Sequence, residues 1–96
     1  MTSSPQSTPD AYRWLFLIEG IDGGDALLRV LGAVSVQQAR VRALDFDGAD
    51  GRFRARLEIE GLDAQRAEHL HHRLAQLPVA LAVSVGSLSR PPSSPR

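Results

Sequence analysis

From Arg52 to Glu60 the chain reads RFRARLEIE, and every second side chain is apolar. A period of two sends successive side chains to opposite faces of a strand. Phe53, Ala55, Leu57 and Ile59 therefore share one face, while Arg52, Arg54, Arg56, Glu58 and Glu60 share the other. An unbroken charged row cannot be buried cheaply, so it faces water. The sheet that holds this strand has one covered face and one wet face. That condition excludes a parallel sheet covered on both sides and asks for a two-layer architecture.

The flanking segments supply the second layer. Tyr12 to Glu19 (YRWLFLIE) is aromatic and aliphatic and reads as a central strand, closed by Gly20. The next stretch, IDGGD, reads as a loop. Asp25 is placed to cap a helix whose apolar positions Leu27, Val30, Leu31 and Val34 recur at helical spacing. That helix fades at Gln37 and Gln38, and Arg40 to Asp47 is extended again. Gly48, Ala49, Asp50 and Gly51 are turn residues. After the alternating strand, Gly61 and Asp63 open a second helix with the stripe Ala67, Leu70, Leu74 and Leu77. Pro78 stops it. Val79 to Val85 sets Val79, Leu81, Val83 and Val85 against Ala80, Ala82 and Ser84, which predicts a fourth strand. The order is β-α-β-β-α-β. Two helices with one stripe each cover one face of a four-stranded antiparallel sheet, so the fold class is α+β, a two-layer ferredoxin-like sandwich.

A four-residue turn at 48–51 predicts a register for the middle hairpin. It sets Phe46 opposite Phe53 and Leu44 opposite Ala55 on the inner face, with Asp47 opposite Arg52 and Asp45 opposite Arg54 on the outer face. The same register turns Arg40 and Arg42 inward, so a bulge or a late strand start is expected near Val41 and Arg42.

The chain has 96 residues, enough for one small domain. Five of its 6 prolines lie in residues 1–10 and 89–96. Both segments are expected to be disordered tails around a folded domain at 11–88. Pro92 and Pro95 have the spacing of a ligand for an aromatic groove, the sharper alternative to a plain tail. The formal net charge is zero, which argues against nucleic acid. There is no Cys and no Lys, so disulfides, thiolate chemistry and Schiff bases are excluded. The longest apolar run, Trp14 to Ile18, is too short to span a bilayer. The opening residues lack the pattern of a secretory signal, and a cytoplasmic location with no membrane contact is expected.

Catalytic groups are scarce. Tyr12, Ser35, Ser84 and Ser87 supply the hydroxyls of the middle, and none sits in a strand-turn-helix elbow. His69, His71 and His72 all fall on the second helix. His69 and His72 point away from the leucine stripe and His71 stands at its edge. A solvated helix face is the plain reading; a metal held by the His69/His72 pair, or a pH sensor, are the alternatives. Asp45 to Gly51 (DFDGADG) superficially looks like a calcium loop, but Ala49 and Arg56 stand where ligands are needed, so it reads as a hairpin turn. RNA readers of this strand order stack bases on exposed aromatics, and the outer row here carries none. The IDGGD loop stays open between a plain strand-helix turn and a ligand-binding loop. Its glycines allow close approach, and the helix start beyond it offers free N–H groups.

These residues carry a family resemblance. The stretch ALLRVLGAVSVQQARVRALDF (Ala26 to Phe46) resembles an ACT domain, and more narrowly the small regulatory subunit of acetolactate synthase (acetohydroxyacid synthase). Ala26, Leu27, Arg29, Val30, Leu31, Gly32, Ala33 and Val34 follow that family's pattern, and RARLEIEG and HRLAQLPVALAVSV (His72 to Val85) fit its second half. The resemblance covers about residues 12–88 and looks most like the short, isozyme II type. It implies a non-catalytic subunit that binds and activates a large subunit in branched-chain amino acid biosynthesis. No cofactor is implied on this chain; thiamine diphosphate, Mg and FAD belong to the large subunit. The resemblance also implies a homodimer with joined sheets and a small amino-acid effector held by Asp22, Gly23, Gly24, Asp25 and Arg40. The departures are Asp25 in place of a glycine, Arg40 in place of an asparagine, and Gln37-Gln38 in place of arginine-glycine. An added carboxylate at Asp25 repels the carboxylate of an amino acid unless Arg40 neutralises it, so weak valine feedback is expected. A free-standing ACT sensor for another enzyme is the alternative.

Overall fold

The computed structural model describes residues 13–88. They form β1 (Arg13–Ile21), α1 (Ala26–Val36), β2 (Arg40–Ala49), β3 (Arg52–Glu60), α2 (Ala64–Ala75) and β4 (Ala80–Ser87). The four strands make one antiparallel sheet in the order β2-β3-β1-β4. Both helices pack on one face. The expected α+β ferredoxin-like sandwich is the observed architecture. The tails, including Pro92 and Pro95, lie outside the described residues, as does Tyr12.

The core lies between β1, β3 and the helices. Phe16 and Ile18 of β1, Ala55, Leu57 and Ile59 of β3, Val30 of α1, and Leu70 and Leu74 of α2 are all fully buried. On α2 the expected stripe holds: Ala67, Leu70 and Leu74 are buried and Leu77 is half-buried. Asp63 caps this helix by accepting a 2.8 Å hydrogen bond from the Arg66 amide. On α1 the buried face is turned by one residue from the expected one. Ala26, Val30, Ala33 and Val34 are buried, whereas Leu27 and Leu31 lie only half inside. Two alanines thus take buried places on this helix that hydropathy assigned to leucines.

The β2–β3 hairpin corrects the register. Its turn has two residues, Asp50 and Gly51, at φ 57° and 75°. Two left-handed residues in an Asp-Gly pair are the signature of a tight hairpin whose twist matches the strands. Asp47 therefore faces Arg54, Phe46 faces Ala55, Asp45 faces Arg56 and Leu44 faces Leu57. The error was two residues, an even number, so each side chain keeps its expected face. Phe46 still stacks on Phe53, ring centroids 5.4 Å apart, across the diagonal that Gly48 leaves open. The expected bulge is present: the register shifts between Val41 and Ala43.

β4 departs from simple alternation. Its pairing with β1 shifts between Glu19 and Gly20, and Leu81 falls out of the inner row to become 60% exposed. The chain crosses β1 tightly there. A Cβ on Gly20 would lie 1.9 Å from the Val79 carbonyl oxygen, so only glycine fits.

Candidate functional site

The sheet has two ends of different chemistry. At one end the Asp22–Asp25 loop meets the β2–β3 turn. The Asp22 amide donates to the Gly51 carbonyl at 2.9 Å, and the Asp22 carboxylate accepts from the Gly24 amide at 2.9 Å. Asp22 also packs against Gly48 of β2. Open space lies over Gly23 and Gly24, where an added Cβ would meet nothing within 4 Å. Asp25 precedes α1 as expected, but its side chain makes no cap hydrogen bond. It turns to Arg29, one helical turn on, and accepts from Nε at 2.8 Å. Arg29, not Arg40, is the cation beside this carboxylate.

Arg40 stands at the opposite end. It pairs with Glu60, and Glu60 pairs with Arg13 at the start of β1. The loop follows Ile21 at the far end of that strand, about 26 Å away at the usual rise per strand residue. Within one chain, Asp22, Gly23, Gly24 and Asp25 are brought together and Arg40 is not.

What Arg40 joins is a cluster that the spacing did not announce. Glu60 belongs to the wet row yet is only 5% exposed. Arg13, Arg40 and Arg42 reach its carboxylate at 3.8, 3.4 and 3.6 Å. Three guanidinium groups cover one carboxylate, and the bulge at Arg42 lets two consecutive outer residues of β2 reach it. The signal lies in the sequence: an unbroken register turns Arg40 and Arg42 inward onto the apolar face, a bulge avoids that, and the carboxylate that holds them ends the neighbouring strand.

The expected cross-strand ion pairs of the hairpin do not form. Asp45 and Asp47 face Arg56 and Arg54, but Arg54 turns to Glu19 at 3.1 Å and Arg56 to Glu58 at 4.0 Å. Glu19, Asp47, Arg52 and Arg54 line an open hollow of about 350 Å³ that reaches Phe53 and Leu81. It carries both signs of charge and abuts the loop end.

The histidines divide. His69 and His72 are exposed, and His71 donates from Nε2 to the Val83 carbonyl at 3.1 Å, tying α2 to β4. Among the described residues no group of three or more His, Asp or Glu side chains is placed to hold a metal ion. No helix among them is long and apolar enough to cross a membrane.

No protein-family model matches the sequence, and no curated sequence matches it. Solved structures do resemble the fold. The ACT domain from GTP pyrophosphokinase of Chlorobium tepidum superimposes with a TM-score of 0.71 at 19% identity, over 77% of this chain and 96% of that one. A formyltetrahydrofolate deformylase from Pseudomonas putida matches with a TM-score of 0.61 at 18% identity, over 78% of this chain and 28% of that one. The C-terminal domain of the MgtC protein from Mycobacterium tuberculosis gives 0.65 at 12% identity, over 91% and 98% of the two chains. At these identities the likeness speaks for architecture: the chain has an ACT-like, ferredoxin-type βαββαβ fold.

Proposed function

We propose that this chain is a non-catalytic regulatory module that acts by docking on a larger enzyme, and specifically that it is a small subunit of acetolactate synthase. The observation that carries this reading is a coincidence of pattern and fold. The Ala26–Phe46 stretch that resembles the family spans α1 and β2 of an ACT-like domain, directly after the Asp22–Asp25 loop. In this reading the large subunit holds thiamine diphosphate, Mg and FAD, and the small chain raises its activity in the cytoplasm. Asp25 remains a carboxylate at the effector loop, and Arg29 offsets its charge without removing it from the loop. Valine feedback is therefore weak.

Co-expression with a thiamine-dependent large subunit tests the proposal. Co-purification with a several-fold rise in acetolactate formation supports it, and an unchanged rate with no complex overturns it. Calorimetric titration of valine into the complex tests the second part, since micromolar binding at the loop contradicts weak feedback. The ACT-like likeness to domains of other enzymes favours one alternative, an amino-acid sensor serving a different enzyme. Binding of an amino acid by the isolated chain, without affinity for the large subunit, selects it.

A further inference from the structure

The charged row that marks the open face of the sheet as wet belongs to β3. Beside it, on β1 and β4, the same face changes character. Phe16 and Ile18 point into the core, so Leu15 and Leu17 point out. Leu15 is half-buried and Leu17 is 41% exposed. Across the ladder they meet Gly86 and Ser84 of β4, and Ala82 follows in that outer row. These side chains are small. A Cβ on Gly86 would touch nothing within 4 Å, and Leu17, Ala82 and Ser84 line a shallow hollow of about 250 Å³. The result is a flat apolar lane on the open face, closed at one end by the exposed Glu19–Arg54 pair.

The other end of the lane is positive. Arg13 precedes Leu15 in the outer row of β1 and shares one carboxylate, that of Glu60, with Arg40 and Arg42. Three guanidinium groups against one carboxylate leave two positive charges uncompensated. Arg40 and Arg42 keep 79% and 52% of their side-chain surface in solvent. The buried Nε of Arg13 has no hydrogen-bond partner among the described residues. Alongside the lane the charges cancel, Arg54 against Glu19 and Arg56 against Glu58.

We infer that this lane docks an acidic amphipathic helix of the larger enzyme, with its apolar side chains on Leu15 and Leu17 and its carboxylates on Arg13, Arg40 and Arg42. The inference rests on the reading of the chain as a docking module and gives that module its contact face. Charge and apolarity together select the occupant. A nucleic acid would bring phosphates to the arginines, but the lane offers leucines where its bases need aromatic rings. A second copy carries the same positive end, and its Asp45 and Asp47 stand on β2, two strands from its own lane. The lane lies on a sheet face and not along an edge, so its occupant packs through side chains, as a helix does on a sheet.

The test titrates the full chain, labelled with 15N, with a synthetic helix of about 18 residues that carries leucines on one face and glutamates in one terminal turn. A twin has lysines in place of the glutamates. Amide shifts are expected at Leu15, Leu17, Ser84 and Gly86, with affinity about tenfold above that of the lysine twin and falling with added salt. Leu17→Glu is expected to lose about tenfold, as is the double variant Arg40→Gln with Arg42→Gln, which leaves Arg13 to neutralise Glu60. Their own amide spectra report folding, and if either unfolds the lysine twin and the salt series decide. The same variants are expected to weaken co-purification with the thiamine-dependent large subunit. No binding of the acidic helix, equal affinity for both helices, or shifts confined to α1 and α2 overturns the inference. Loss of self-association in Leu17→Glu would make a second copy the occupant, and tighter binding to phosphatidylserine vesicles would make it a membrane; either overturns it. A large-subunit complex that Leu17→Glu leaves intact overturns this contact face and spares the acetolactate synthase assignment. Docking of the acidic helix on the lane without any large-subunit complex upholds the face and removes only that assignment.

Discussion

β2 and β3 are the two arms of one hairpin, and both alternate, yet they live in different environments. The inner row of β3 is almost wholly enclosed: Phe53 is 3% exposed and Ala55, Leu57 and Ile59 are 0%. The inner row of β2 points the same way, but Val41 and Leu44 keep 40% and 37% of their surface in solvent. β3 has a strand on each side and helices beneath it, while β2 has a strand on one side only. Alternation reports which face a residue takes; it does not report whether anything lies against that face.

The contrast can be broken by substitution, and the largest effects belong on the β3 side. Leu57→Ala empties a fully enclosed site and is expected to cost about 3 kcal/mol of folding free energy, measured by urea denaturation. A loss below 1 kcal/mol would mean that the β3 row is not the core it resembles. Gly20→Ala sets a methyl group against the Val79 backbone and Phe53, and about 2 kcal/mol is expected from the shift it forces. Glu60→Gln removes the charge that gathers Arg13, Arg40 and Arg42. About 1–3 kcal/mol is expected, the usual cost of a lost hydrogen-bonded charge, and the same denaturation curve reads it. A neutral outcome there would show that the three arginines are held by water alone.

Leu44→Ala sharpens the comparison from the β2 side. Its side chain is already one-third exposed, so folding of dilute protein should weaken by about 1 kcal/mol or less. A loss as large as that of Leu57→Ala would erase the distinction between the two arms. The smallest effect is expected from Arg54→Ala, which breaks an exposed ion pair with Glu19. Such pairs contribute about 0–1 kcal/mol, and added salt should mask even that.

The element order, the face of each β3 residue, the α2 stripe, its Asp63 cap and the Arg42 bulge could all be read from local patterns. Each rests on a period or on a residue with one conformational use. The α1 face could not, because its buried positions include Ala26 and Ala33, small residues that hydropathy marks less strongly than Leu27 and Leu31. The hairpin register was within reach: Asp50-Gly51 is a two-residue turn signal, and treating Gly48 and Ala49 as part of the turn hid it. The candidate loop was legible as Asp22, Gly23, Gly24 and Asp25. Arg40 was named with it through resemblance, and its place beside Glu60 depends on strand order, which no local window contains.

Periodicity and turn chemistry by themselves determined a half-covered sheet with two helices, since burying an apolar row and wetting a charged one leaves few other layouts. Tertiary structure decided the rest: that Glu60 is shielded, that Asp25 belongs to Arg29, and that β2 is an edge strand. Those outcomes depend on which distant residues meet across the sheet, where the energy of a charge or a methyl group is set by its neighbours in space and not by its neighbours in the chain.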